Sequence, residues 1–286
     1  MSVATLQSDP LPAVAVHGEG IVRFKQRDGL TCLDDLYHTD PVRILFPYKP
    51  KYELPTAVIT TTSGGLVGGD RIEITASVAE GASALVTPQA AEKVYRSAGE
   101  DTHIAVDLEV APGGWLEWLP QETIVFNGSR LRRVTRASIK GDGALLAGEF
   151  LVFGRKAHGE TLTEGLLRDA WEIRRDGKLI WADALHLEND LATPLAARAG
   201  FDGAEAIATI VYAGPGAEVW LDAVRGFLGE APEGLRFGAT LVNGLLVIRF
   251  IGKESLILRK SYGAFWARFR SAIAGLPDVL PRLWHI

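Results

Sequence analysis

Residues 78–89 read Val-Ala-Glu-Gly-Ala-Ser-Ala-Leu-Val-Thr-Pro-Gln, and residues 110–121 read Val-Ala-Pro-Gly-Gly-Trp-Leu-Glu-Trp-Leu-Pro-Gln. The two stretches correspond at a constant offset of 32 residues. Each is a turn with glycine, then an apolar strand, then a break. A weaker third copy begins at Gly141-Asp142-Gly143-Ala144 and runs through Leu145-Leu146-Ala147-Gly148-Glu149-Phe150. Self-similarity near this period marks stacked supersecondary units that share one continuous core.

Upstream of the repeat, Gly64-Gly65-Leu66-Val67-Gly68-Gly69-Asp70-Arg71 separates two β-branched runs, Ala57–Thr62 and Ile72–Val78. Both flanks suit strands. Gly64 and Gly69 have P-loop spacing, but a P-loop needs Lys and Ser/Thr next and a helix after them. Asp70 would set negative charge against phosphate, and the chain continues as a strand. The Rossmann spacing is also absent. The glycines are therefore read as architectural, with Asp70 and Arg71 the part that needs a partner.

Downstream, Trp171–Arg175 meets Lys178–Trp181 across Asp176-Gly177, and Thr240–Val242 meets Leu245–Ile248 across Asn243-Gly244. Both dipeptides are hairpin turns. Two helices are predicted, Ala217–Gly229 and Tyr262–Leu276, the second stopped by Gly275 and Pro277. Such helices either cap sheet edges or form a docking surface. The fold class is thus mainly β: a stacked β-hairpin or solenoid-like body with two or so helices in the C-terminal half. We read one domain over 1–286, a β-rich repeat part at about 20–187 and a mixed α/β part at about 206–286, divided within 188–205.

Composition limits the function. With 47% hydrophobic and 23% charged residues, the 286-residue chain has ample material for a core. A net charge of −5 argues against nucleic acid as a primary partner. Leu245-Leu246-Val247-Ile248, broken at Arg249, is no membrane span. Residues 1–10 lack the basic and apolar regions of a secretory signal, and the single cysteine, Cys32, cannot form an internal disulfide. Both point to a cytoplasmic location.

Five blocks stand in order: "GGLVGGDR" at 64–71, "QAAEKVYRS" at 89–97, "LEWLPQETIVF" at 116–126, "RDGKLIWADALHLE" at 175–188 and "LPRLW" at 280–284. Together they resemble the UreD (UreH) family of urease accessory proteins over roughly residues 20–286. The opening strand departs: His17-Gly18-Glu19-Gly20 stands where many members carry a Gly-Trp-x-Gly-like start. The resemblance implies a β-rich body with a few helices. It also implies a non-enzymatic chaperone that acts with the helical partner UreF and the GTPase UreG to insert nickel into apo-urease. Nucleotide belongs to UreG in that scheme, in keeping with the failed P-loop here.

Nickel accepts imidazole, carboxylate and water. The six histidines, at 17, 38, 103, 158, 186 and 285, form no close-spaced pair, so no tightly bound cofactor is expected. A transit role needs carboxylates along a wet interior that hold an ion weakly. The acids matching the family's lining are Asp70, Glu92, Glu149 and Asp183. Glu149 and Asp183 also sit in apolar runs, where an acid must be paired, hydrated or functional. The plain alternatives are a structural ion pair or outward alternation for these two, neutralisation of Asp70 by Arg71 or another base, and a surface position for Glu92 beside Lys93. Trp266 and Phe269 are candidate anchors for UreF. Lys93-Val94-Tyr95-Arg96 reads as structure or a partner surface. Two competing functions remain: a carbohydrate-active enzyme using two carboxylates near Trp115-Leu116-Glu117-Trp118, and a scaffold that conducts nothing.

Overall fold

The computed structural model describes residues 15–48, 50 and 52–285; the stretch read for a secretory signal, 1–10, lies outside them. In chain order the strands are β1 (His17–Arg27), β2 (Leu30–His38), β3 (Val42–Leu45), β4 (Thr56–Thr61), β5 (Arg71–Val78) and β6 (Ser83–Pro88). There follow β7 (Glu92–Val94), β8 (Thr102–Val110), β9 (Trp115–Trp118), β10 (Thr123–Val125), β11 (Arg130–Ile139) and β12 (Ala144–Phe153). The last are β13 (Glu164–Arg175), β14 (Lys178–Asp190), β15 (Ala206–Ala213), β16 (Leu235–Val242) and β17 (Leu245–Gly252). Three α-helices join them: α1 (Ala192–Ala196), α2 (Leu221–Leu228) and α3 (Ser255–Ala274).

The repeat is the coil of a solenoid-like body made of two stacked sheets. A seven-stranded sheet runs β14-β13-β11-β8-β5-β1-β2, and a ten-stranded sheet runs β16-β17-β15-β12-β9-β6-β4-β3, with β10 joining β12 to β7. From β4 to β13 the chain alternates between the sheets, so each long strand pairs in parallel with its equivalent one coil away. Val78 stands opposite Val110, and Ser83 opposite Trp115, which is the 32-residue offset. In the next coil Trp115 faces Ala144, a shorter step, and this is why the third copy is weaker. The unit differs from a hairpin: its strands belong to different sheets and do not pair with each other.

The two predicted hairpins are present, with positive φ at Asp176, Gly177, Asn243 and Gly244. The helix predicted at 217–229 is a 3₁₀ turn (Ala217–Trp220) leading into α2. The one predicted from Tyr262 starts a full two turns earlier, at Ser255, because Leu256-Ile257-Leu258 reads like a strand. No helix among the described residues is long and apolar enough to cross a membrane.

Every residue of β12 but one is buried, because this sheet is covered on both faces. Toward the other sheet it presents Leu145 and Ala147 to one apolar cluster, and Leu151 and Phe153 to another. On its outer face Leu146 and Phe150 pack with Tyr262, Trp266 and Phe269 of α3. Trp266 and Phe269 are fully buried, and burying side chains of this size stabilises by about 1.5–3 kcal/mol each. They cap the sheet; neither offers surface to a partner, so the expected anchors lie inside the body.

Gly148 makes this packing close. A Cβ there would lie 1.9 Å from the Tyr262 Oη and 3.0 Å from the Thr209 carbonyl oxygen. Gly148→Ala is therefore expected to lift α3 from the sheet and to lower unfolding free energy by about 1–3 kcal/mol, checked by urea denaturation.

Candidate functional site

Between the sheets lies a cavity of about 270 Å³, walled by Ile59, Ile72, Ile74, Ile104, Val106 and Trp118. Five charged side chains enter it: Glu92, Lys93, Glu122, Arg133 and Glu149. Glu92 begins β7, where it pairs with Thr123 of β10, and is half-buried rather than a plain surface acid. Burial raises its carboxyl above the ordinary range, against the pull of the Thr61 hydroxyl and Lys93. Glu122 leads into β10 and is ion-paired with Arg259 of α3. Trp118 Nε1 is buried with no hydrogen-bond partner among the described residues. Buried donors ordinarily find one, so the cavity suits a polar guest that can accept, such as water.

Glu149 is the deepest of these acids. Its alternating position on β12 aims it at the facing sheet, where Arg133 of β11 stands beside Asp169 of β13 in register. Arg133 donates from Nε and Nη2 to the two Asp169 oxygens at 2.9 and 3.0 Å, and from Nη1 to Thr123 Oγ1 at 2.8 Å. The same Nη1 lies 2.6 Å from Glu149 Oε1 as an ion pair. Arg133, Glu149 and Asp169 are only 5%, 6% and 7% exposed. Burial pushes the Glu149 carboxyl up to about 8; Arg133 opposes the shift and Asp169 adds to it. Asp169, held by two parallel hydrogen bonds, is the firmer partner of the guanidinium.

Beyond this triad lies a second cavity, about 500 Å³, lined by Asp169, Trp171, Asp183, Phe201, Phe237 and Arg249. Asp183 sits here half-buried and paired with Arg249 Nη2 at 2.7 Å. Its neighbours alternate along β14 between half-buried and exposed, so its apolar run is not a fully buried one.

Asp70 stands apart from both linings. Its carboxylate accepts from the Val16 N–H at 2.9 Å and the Val67 N–H at 2.8 Å, pinning the glycine loop to the lead-in of β1. The expected neutralisation by Arg71 does not occur: Arg71 pairs with Glu73 at 2.6 Å. Backbone donors take that role, and Asp70 acts on the cavity only by holding Glu92 higher. The loop is architectural, as read. Gly65 has φ of 138°, and a Cβ there would meet the Tyr95 ring at 2.4 Å.

Trp115 and Trp118 point to opposite faces of their sheet, so they form no sugar platform. Glu117 is fully buried beneath α3, accepting from Trp266 Nε1, Trp115 Nε1 and Arg270 Nε at 3.0–3.1 Å. Sequence reading missed Arg133, Asp169 and Glu122. Alternation along Arg130–Ile139 and Glu164–Arg175 was the available signal, since it turns Arg133 and Asp169 inward with the apolar residues. Among the described residues no three His, Cys, Asp or Glu side chains converge to hold a metal.

The raised Glu149 carboxyl has a consequence for stability. The folded protein keeps this proton up to about pH 8, whereas the unfolded chain loses it near 4.5. Stability of the wild type relative to Glu149→Gln is therefore expected to fall, by a few kcal/mol, as pH rises from 4.5 to 8, and to level off above it. Denaturation midpoints of the two proteins across that range provide the check.

The profile of the UreD urease accessory protein family matches residues 16–285. A urease accessory protein UreD of Magnetococcus marinus is 46% identical over 288 residues, covering 100% of this chain and 99% of that protein. A second, from Methylobacterium sp. (strain 4-46), is 45% identical over 260 residues and 90% of each chain. A third, urease accessory protein UreD 2 of Methylorubrum populi, is 38% identical over 289 residues, 99% of this chain and 95% of that one. With a whole-length family match and relatives of this identity, the chain belongs to the UreD family of urease accessory proteins.

Proposed function

We propose that this chain acts in the cytoplasm with UreF and UreG to insert nickel into apo-urease, and that nickel crosses its interior. The ion would pass Glu92 and Glu149 in the first cavity, then Asp169 and Asp183 in the second. The chain itself catalyses nothing in this scheme and keeps no tightly bound cofactor. The observation that carries the reading is the placement of carboxylates. They line two half-open cavities between the sheets, on either side of one ion triad, and do not share one groove. Few ligands per position suit transit, because conduction requires binding weak enough to let the ion leave.

The test separates conduction from scaffolding. Glu149→Gln keeps the side-chain volume, and Arg133 retains its two bonds to Asp169, so melting at pH 7 stays close to wild type. Asp183→Asn breaks a half-exposed pair and costs below about 1 kcal/mol. Both variants are expected to assemble with UreF and UreG yet to lower the nickel content of matured urease several-fold, read by metal analysis. Glu117→Ala should behave otherwise. It takes the acceptor from the buried donors Trp266 Nε1, Trp115 Nε1 and Arg270 Nε, leaving Arg270 with Glu53, and costs about 3–5 kcal/mol, with loading falling only as the folded fraction does. Unchanged nickel content with Glu149→Gln and Asp183→Asn would leave the chain a scaffold.

A further inference from the structure

The triad poses a problem that nickel transit alone does not solve. An interior lined by buried acids is costly when no cargo is inside, since an uncompensated buried carboxylate costs several kcal/mol. Glu149 and Asp169 project from opposite sheets into a layer bounded by apolar clusters. Leu131, Leu151 and Leu167 close it on one side, and Thr135, Ala147 and Trp171 on the other. The guanidinium of Arg133 fills this layer, touching an acid of the first cavity and an acid of the second.

We propose that Arg133 is the protein's own resident cation in this passage and sets its selectivity, yielding Glu149 only to a multiply charged ion. The inference rests on the reading of the interior as a cation path. Its grip is unequal by construction. Two parallel hydrogen bonds fix the guanidinium to Asp169 and a third to Thr123, while Glu149 meets it in a single 2.6 Å ion pair and otherwise accepts only from the Phe150 N–H at 3.3 Å. A sodium or potassium ion brings the same unit charge without those directed bonds, and gains nothing by displacing it. A divalent ion doubles the Coulomb attraction to Glu149 and can take that carboxylate while Arg133 stays on Asp169. Thr135 Oγ1, two residues along the same face of β11, is buried without a hydrogen-bond partner among the described residues. Trp118 Nε1 is likewise unpartnered in the first cavity's wall, but as a donor it suits a water molecule, which leaves Thr135 Oγ1 as the unpartnered group able to accept from a hydrated cation.

The experiment titrates Ni²⁺ alone into the purified full-length chain above pH 8, where Glu149 has lost its proton. Arg133→Gln by itself strands two acids and is expected to melt early. Arg133→Gln/Asp169→Asn avoids this, because it removes one charge of each sign and leaves the layer's net charge unchanged, and this double variant decides the matter. It is expected to bind Ni²⁺ at least tenfold more tightly than wild type, with potassium chloride now competing. Adding Glu149→Gln should abolish the gain. Equal Ni²⁺ affinity in wild type and double variant would overturn the proposal, as would a gain that survives Glu149→Gln. Urease loading by the complex with UreF and UreG tests the other reading separately. If Ni²⁺ affinity responds as expected while loading is the same for every variant, Arg133 stands as the counter-ion of an interior cation site and transit is what fails.

Discussion

A chain that changes sheet at every turn can pair its strands only in parallel with the coils before and after. The body between β4 and β13 follows from that constraint. Parallel register repeats each inward position one coil later, so a residue's environment is set by its offset along the repeat. It also leaves the ten-stranded sheet with two faces to bury: one against the seven-stranded sheet, the other against α3. The uniformly buried β12 is the direct result.

Within this regular core one layer breaks the apolar rule. Arg133, Glu149 and Asp169 occupy inward positions that hold Leu131, Leu151 and Leu167 in the layer on one side and Thr135, Ala147 and Trp171 in the layer on the other. Buried ion groups of this kind are weak contributors to stability, because the desolvation of each charge offsets most of their attraction. Their place is the junction of two cavities, where strands of both sheets hold the donors and acceptors in register.

Charge also ties the C-terminal region to the repeat. Arg270 of α3 binds the fully buried Glu117 and reaches Glu53, while accepting groups at Pro277 and Val279 hold the chain that follows the helix. Arg259 pairs with Glu122, stacks 4.3 Å over Trp284 and donates to its carbonyl. Gln121 donates to the Leu283 carbonyl. The blocks Leu119-Pro120-Gln121-Glu122 and Leu280-Pro281-Arg282-Leu283-Trp284, far apart in sequence, are therefore one assembly under α3. Glu122 links it to the first cavity.

The repeat at 78–89 and 110–121, the Asp-Gly and Asn-Gly turns and the ordered motif blocks determined the coil, the hairpins and the family, because each is a local pattern. The same holds for the glycine loop, whose turn between two strands is written in its four glycines. Which acid faces what was decided by the tertiary structure. Asp70 and Glu149 both read as acids in need of a partner. Backbone amides from a distant lead-in satisfied the first, and an arginine from the facing sheet met the second. Arg133 lay unnoticed in Arg130-Leu131-Arg132-Arg133, which looks like a solvated basic strand. Only stacking shows that its position points inward between Glu149 and Asp169. Trp266 and Phe269 likewise looked like anchors for a partner until α3 closed over the sheet. Burial is a property of what packs above a residue, and that lies elsewhere in the chain.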